Sequence, residues 1–162
     1  MDVGCGLGTT ARRLAARGYA VTACDFSARA IEEAHRRTPT GSPVRYEVRD
    51  VTGPAPVGPY PVVLDRGVLH TRPTDHERHA FAAATARTCG PGGLWVHAGA
   101  AALSEEDALD QSGGPSWITE ETFRDAVAPW FAALDLRIAG FGRQPGVTDW
   151  PARYAVLRRS RS

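Results

Sequence analysis

The pattern with the clearest chemical meaning lies at the amino-terminal end of the sequence. Asp2–Gly8 reads D-V-G-C-G-L-G, so three glycines alternate directly before an amphipathic segment. Glycines let the backbone approach a ligand closely, and the free N–H groups at a helix start attract an anion such as a carboxylate. The alternative is a tight strand-to-helix connection with no ligand. The dinucleotide spacing G-x-G-x-x-G fails, because Thr9 stands three residues after Gly6.

Two carboxylates and an aromatic residue follow at positions suited to a nucleoside. Asp25 ends a predicted strand 17 residues after Gly8, where a carboxylate can accept hydrogen bonds from both ribose hydroxyls. Phe26 can cover an adenine face, and Asp50 with Val51 can offer a carboxylate and an N–H to the adenine edge. The alternatives are a helix-entry residue for Asp25, a core residue for Phe26 and an ordinary turn residue for Asp50.

Strand-like and helix-like segments alternate along the chain, which predicts an α/β fold that positions these residues. The predicted strands are Asp2–Val3, Val21–Asp25, Val44–Val48, Val62–Asp65, Leu94–Ala98, Leu136–Phe141 and Arg153–Arg158. The predicted helices are Thr10–Arg17, Ser27 (N-cap) to about Arg37, the Thr74/Glu77 capping box to about Cys89, and Glu120 to Pro129. Gly90–Gly93 should end the third helix, and Gly99–Ser116 should be irregular.

Composition excludes several classes of protein. The 162 residues carry a formal net charge of +1, whereas a nucleic-acid or membrane-surface binder needs a basic surplus. Apolar stretches such as Pro61–Leu64 reach four residues, far below the roughly 20 of a membrane helix. Three cysteines fit neither a zinc nor a disulfide spacing, which predicts a cytoplasmic protein. His76, His79 and His97 have no Cys or carboxylate companions at spacings suited to a metal, so we expect structural roles and no metal.

Taken together, D-x-G-x-G-x-G, the two strand-end aspartates and the Pro91–Gly93 turn resemble the class I S-adenosylmethionine-dependent methyltransferases over nearly the whole chain. The resemblance implies a three-layer, doubly wound, mostly parallel sheet with an antiparallel last strand, as one domain over residues 1–162. It implies S-adenosylmethionine as the cofactor, with Gly4, Gly6 and Gly8 around its methionine part. The full set of implied cofactor-binding residues is Asp2, Gly4, Cys5, Gly6, Gly8, Asp25, Phe26, Asp50, Val51 and Asp65.

Within that superfamily, Val63–His70 and Gly114–Glu121 look like the tellurite-resistance and thiopurine methyltransferase group. This likeness implies a small-molecule acceptor, such as a thiol or another soft nucleophile, methylated by in-line displacement. It puts Asp65 near the cofactor's amino group and Arg66 near the substrate, with His70 and Trp117 also at the substrate pocket. A hydroxyl or amine acceptor would favour a base, for which His70 is the candidate. The alternatives are a surface Asp65–Arg66 pair and a packing role for His70.

The resemblance also leaves other functions open. We expect the first strand to be incomplete and the helix that usually precedes it to be absent. A non-catalytic remnant of the fold, or a partner subunit, therefore stands as the alternative to an enzyme. A nicotinamide-dependent oxidoreductase on a related sheet is disfavoured by the glycine spacing.

Overall fold

One seven-stranded sheet organises the protein, and a computed structural model describes residues 1–53, 58–109, 117–140 and 150–160. Its strands are β1 (Asp2–Val3), β2 (Val21–Asp25), β3 (Val44–Val48), β4 (Tyr60–Arg66), β5 (Cys89–Ala100), β6 (Phe131–Gly140) and β7 (Pro151–Arg159). The helices are α1 (Thr9–Ala15), α2 (Ala28–Arg36), α3 (Asp75–Thr88), α4 (Glu105–Leu109) and α5 (Glu120–Val127), with a single helical turn at Leu69–Thr71. None of the described helices has the length and apolar character of a membrane span.

The strand order is β3-β2-β1-β4-β5-β7-β6. The first five strands in that order run parallel, and β7 pairs antiparallel with both β5 and β6. This confirms the predicted doubly wound sheet with an antiparallel last strand. The chain proceeds from β1 to one side and then returns to start β4 on the other. Ligands of open α/β sheets bind at such a switch point, outside the carboxyl ends of the strands.

Local hydrogen bonds start the helices where the sequence predicts them. The Ser27 hydroxyl accepts a bond from the backbone N–H of Ala30, which caps α2. Thr74 and Glu77 form a complete capping box at α3. Thr119 caps α5 in the same manner. Each cap satisfies an N–H that the first helical turn would otherwise leave unpaired, so these starts depend on neighbouring residues alone.

The predicted starts of β4, β5 and β6 are wrong. β4 begins at Tyr60 rather than Val62, and the ladder to β5 shifts register between those residues, around Pro61. Proline lacks the N–H of a regular ladder, so an irregularity at this point accommodates it. Residues 90–93 do not end the third helix in a turn but belong to β5, because Tyr60 already pairs with Cys89. β6 begins at Phe131 rather than Leu136, because it pairs with β7 from Phe131 opposite Arg159 onward.

The predicted irregular segment Gly99–Ser116 is also wrong in part, because it contains α4. The Ser104 hydroxyl accepts from the N–H of Asp107, and the Asp107 carboxylate accepts from the N–H of Leu103, one residue before Ser104. This arrangement is close to a capping box and holds the first turn of α4. Asp110–Ser116 and Phe141, which the predictions also covered, lie outside the described residues.

Apolar clusters on the two faces of the sheet complete the three layers. Phe81, Trp95 and Phe123 are almost fully buried in the cluster that joins α3 and α5 to the sheet. The cluster beneath α1 and α2 is built from smaller residues such as Ala11 and Ile31. The larger cluster also contains Val3 and Val51, which line the cavity described next.

Candidate functional site

A cavity of about 380 Å³ opens where β1, β2 and β4 end, at the switch point of the sheet. Turns that follow four of the parallel strands contribute its walls. The lining residues are Val3, Gly4, Cys24, Asp25, Phe26, Arg49, Asp50, Val51, Gly67, Val68, Thr71 and Arg72. A pocket with a few polar groups at this place in an α/β sheet is the expected position of a ligand site.

The glycine turn after β1 needs glycine for two different reasons. Gly4, Gly6 and Gly8 have φ angles of 65°, 51° and 73°, a region that side chains disfavour. A Cβ on Gly4 would overlap Val68, and one on Gly8 would overlap the Tyr46 ring. Gly6 has no neighbour within 4 Å of its added Cβ. Packing alone accounts for two of the glycines, whereas at Gly6 the backbone faces open space that a ligand can approach.

Asp25 joins the glycine turn to the end of β2. One carboxylate oxygen accepts the backbone N–H of Gly6 at 2.9 Å, and the other accepts the N–H of Ser27 at 2.9 Å. A carboxylate can accept about four hydrogen bonds, so each oxygen keeps the capacity to accept one more, and Asp25 lines the cavity. Asp25 therefore holds the turn in place and also offers acceptors to a ligand.

The turns after β2 and β3 add an aromatic ring and a second carboxylate to the cavity wall. Phe26 is 75% exposed, which excludes the core alternative for this residue. Asp50 accepts bonds from the N–H and hydroxyl of Thr52, and these bonds lower the pKa of Asp50. That pattern is the turn alternative considered for Asp50, but the side chain still lines the cavity. Val51 is buried beside it.

The structure brings only part of the expected cofactor set to the cavity wall. Gly4, Asp25, Phe26, Asp50 and Val51 line it, whereas Asp2, Cys5, Gly6, Gly8 and Asp65 do not. Asp2 is 2% exposed, its Oδ2 has no hydrogen-bond partner, and burial raises the pKa of its carboxyl group to about 7. Burial likewise raises the pKa of the Cys5 thiol to about 12, so this thiol stays protonated and is a poor nucleophile.

Asp65 lies behind the cavity as the centre of a buried polar cluster. Its Oδ2 accepts from Nε1 of Trp95 at 2.8 Å and lies 2.8 Å from Nδ1 of His97, while its Oδ1 accepts the Val68 N–H at 3.2 Å. Burial opposes ionisation, but the charge and hydrogen bonds of these partners hold the pKa of Asp65 below its usual value. Asp65 is fully buried, so the surface-pair alternative is excluded.

His97 thus has a carboxylate partner that its position in the sequence did not reveal. The register of β4 against β5 places Asp65 directly opposite His97. In the sequence the two residues are 32 positions apart, and no local pattern connects them. The only sequence signal was that both were polar residues in predicted core strands.

The three residues expected at the substrate side lie in different surroundings. His70 is buried, and burial, with His97 adding to it, lowers its pKa to about 4. Arg66 is exposed at the end of β4. Trp117 is half-buried, with its ring centre 6.3 Å from that of Trp150. None of the three lines the cavity. Within the described ranges, no group of three or more His, Cys, Asp or Glu residues could hold a metal ion.

The comparison that decides the family concerns the first part of the chain. A family model described as a methyltransferase domain matches residues 1–93, which include the glycine turn, Asp25, Asp50 and β4. The chain belongs to this methyltransferase family. No protein with a curated description matches it in sequence.

Solved structures agree with the fold of this methyltransferase family. A structure from work on the conversion of a disulfide bond into a thioacetal group during echinomycin biosynthesis is 26% identical, with a TM-score of 0.82, over 99% of this chain and 75% of that one. A SAM-dependent methyltransferase from Methanosarcina mazei is 17% identical, with a TM-score of 0.84, and the match covers 99% of this chain and 92% of that one. Magnesium protoporphyrin IX methyltransferase from Synechocystis PCC 6803, solved with bound SAH, is 19% identical, with a TM-score of 0.75. The match covers 98% of this chain and 72% of that one.

Proposed function

We propose that this chain, as a single domain, binds S-adenosylmethionine in the cavity and catalyses methyl transfer to a small-molecule acceptor. The observation that carries the proposal is the cavity at the switch point, with Asp25 on its wall beside an open glycine turn. S-adenosylmethionine supplies a methyl group on a positively charged sulfur, which an acceptor atom displaces in line.

The residues present fit such a cofactor. Asp25 keeps acceptor capacity for two ribose hydroxyls after bonding Gly6 and Ser27. Phe26 offers an exposed ring to adenine, and Asp50 and Val51 line the same cavity. Gly6 leaves open space at the turn for the methionine part. Thus each part of the cofactor has a chemically suitable surface.

Asp2 and Asp65 do not line the cavity, so in this proposal neither contacts the cofactor directly. Asp2 is buried beneath the turn on β1, and Asp65 reaches the cavity wall only through the N–H of Val68. Asp65 thereby holds backbone of the cavity wall against which the cofactor would lie. The thiol or soft-nucleophile acceptor implied by the tellurite-resistance likeness stays a prediction, as do the substrate roles of Arg66 and Trp117.

Calorimetric titration with S-adenosylmethionine and S-adenosylhomocysteine tests the proposal. We expect Asp25→Ala to abolish detectable binding of both, because the ribose loses its acceptors. Asp25 also holds the glycine turn, so circular dichroism and thermal unfolding must accompany each titration. Asp25→Asn keeps one acceptor oxygen and should bind more weakly than the wild type.

Asp125→Asn is the matched control, because Asp125 is an exposed carboxylate that bonds only His79 among the described residues. It should bind both ligands as the wild type does. Unchanged binding by a folded Asp25→Ala variant would defeat the assignment of the cavity. A folded wild type that binds both ligands but methylates no acceptor would favour the non-catalytic alternative.

A further inference from the structure

The outer strand β6 leaves a long edge of the sheet open. β6 lies at one end of the strand order and pairs with β7, and no strand in the described ranges pairs with its other side. It has ten residues, whereas a typical strand has about five or six. Eight of the ten are exposed, while Phe131 is buried and Leu136 is half-buried. The free N–H and C=O groups of such an edge can form hydrogen bonds with another strand.

Exposed apolar side chains accompany these open backbone groups. Leu134 is 51% exposed and Ile138 is 43% exposed, and Leu136 lies between them. Proteins commonly protect an edge strand with lysine or proline, but β6 contains neither. A bulge at Leu134 interrupts the ladder to β7, and the ladder is regular from Asp135 to Gly140. Most of the strand therefore keeps a geometry that a partner strand can match.

The two charged residues of β6 have opposite signs and lie two positions apart. Because side chains alternate along a strand, Asp135 and Arg137 project from the same face, and they form an ion pair at 3.3 Å. Their side chains are 48% and 69% exposed. An ion pair this exposed is weak, so both groups can exchange it for charges on a partner.

A second copy of β6 matches this edge in one register. When two β6 strands pair antiparallel about a twofold axis at Leu136, Asp135 of each copy lies opposite Arg137 of the other. The same axis brings Leu134 beside Ile138 of the second copy. In the two neighbouring registers the axis lies at Asp135 or at Arg137, and two like charges then face each other, which is destabilising. The charges therefore favour the register centred on Leu136.

We propose that β6 is a dimerisation edge, which pairs antiparallel with β6 of a second copy and joins the two sheets into one. The formal net charge of +1 gives little repulsion between copies. Because the interface is symmetric, each dimer contains two ion pairs between the copies. β5 and β7 separate β6 from the strands that form the cavity, so the cavity stays open in the dimer. The inference is therefore independent of the proposed function.

The opposite edge of the sheet is less suited to this pairing. β3 has five residues, and Tyr46 at its centre is buried. Glu47 pairs with both Arg45 and Arg49, so two arginines share one carboxylate. A copy paired about Tyr46 would match Glu47 with Arg45 and leave Arg49 without a partner on the second copy. β3 nevertheless carries charges of the same kind and supplies a matched control.

Analytical ultracentrifugation of the full chain over a range of concentrations measures the dimer. We expect a reversible monomer–dimer equilibrium for the wild type. Asp135→Arg and Arg137→Asp each place like charges opposite each other twice per dimer, so each should raise the dimer Kd on the order of 30-fold. The double variant restores opposite charges and should dimerise as the wild type does. Circular dichroism checks that each variant is folded.

A mixture of the two single variants tests the register itself. Asp135→Arg has two positive charges on this stretch and Arg137→Asp has two negative charges, so only a mixed dimer places opposite charges together. We expect native mass spectrometry to detect the mixed dimer at concentrations where each variant alone is monomeric. Absence of the mixed dimer would contradict the inference, because charge pairing across the twofold axis would then not direct association.

Arg45→Glu, on the other edge strand, is the matched control and should dimerise as the wild type does. A wild type that stays monomeric at its highest soluble concentration overturns the inference. A dimer that every charge reversal at β6 leaves intact also overturns it, and loss of the dimer in Arg45→Glu alone would place the interface at β3. Titration with S-adenosylhomocysteine keeps the two proposals apart. The β6 variants should bind it as the wild type does, and a folded wild type that fails to bind it refutes only the proposed function.

Discussion

Replacing Asp2 with asparagine should make the protein more stable at pH 8 and leave its stability almost unchanged at pH 4. The carboxyl group is 2% exposed and its Oδ2 has no hydrogen-bond partner. Burial raises its pKa from 3.8 to about 7. The folded state thus keeps a proton that the unfolded state has already released. Asparagine has nearly the same shape and never carries the charge.

The sign and size follow from proton linkage. Because the folded pKa is the higher one, the contribution of Asp2 to stability is complete below about pH 4 and is lost as the pH rises through about 7. Each pKa unit corresponds to about 1.4 kcal/mol, so the rise from 3.8 to about 7 amounts to about 4 kcal/mol at most. That is a large part of the free energy of unfolding of a typical domain, which is roughly 5–15 kcal/mol.

Urea unfolding of wild type and Asp2→Asn between pH 4 and pH 8.5, followed by tryptophan fluorescence, measures the effect. The difference in free energy of unfolding should grow with pH and favour the variant by several kcal/mol at pH 8. Using the difference cancels other titrating groups, including His70, whose lowered pKa makes stability fall as the pH drops from about 6.5 toward about 4. Asp50→Asn is the control, since its pKa is lowered and its effect has the opposite sign. A difference independent of pH would refute the reasoning.

Two further predictions concern local structure. Gly8→Ala should destabilise the protein by more than Gly6→Ala in thermal and urea unfolding. Both variants lose about 1–2 kcal/mol because φ is positive at these positions, but only the new Cβ at Gly8 would overlap Tyr46. Equal losses of stability would contradict the packing argument. Thr74→Ala should cost about 1 kcal/mol by removing the cap of α3, and Glu77→Gln, which can still bond back to Thr74, should cost less. A Thr74→Ala variant as stable as the wild type would show that packing alone starts α3.

Sequence patterns sufficed where the physical cause is local. Strands β2 and β3 begin and end as predicted, and the caps at Ser27, Thr74 and Thr119 involve hydrogen bonds across three residues. The Ser104–Asp107 contacts that start α4 are equally local, although no helix was predicted there. The start of β4 near Pro61 depends instead on which residues of β5 pair with it. Residues close to Pro61 in the sequence do not determine that pairing.

For the candidate site, the sequence by itself determined the glycine turn, the strand-end aspartates and hence the family. These depend on backbone freedom and on strand ends that a local pattern reveals. Only the tertiary structure decided the partners of Asp65 and His97, because their 2.8 Å contact requires one register of β4 against β5. A shift of one residue in that register would turn one of the two side chains to the opposite face of the sheet. The proton chemistry of the site is therefore a property of strand pairing, which many distant contacts fix together.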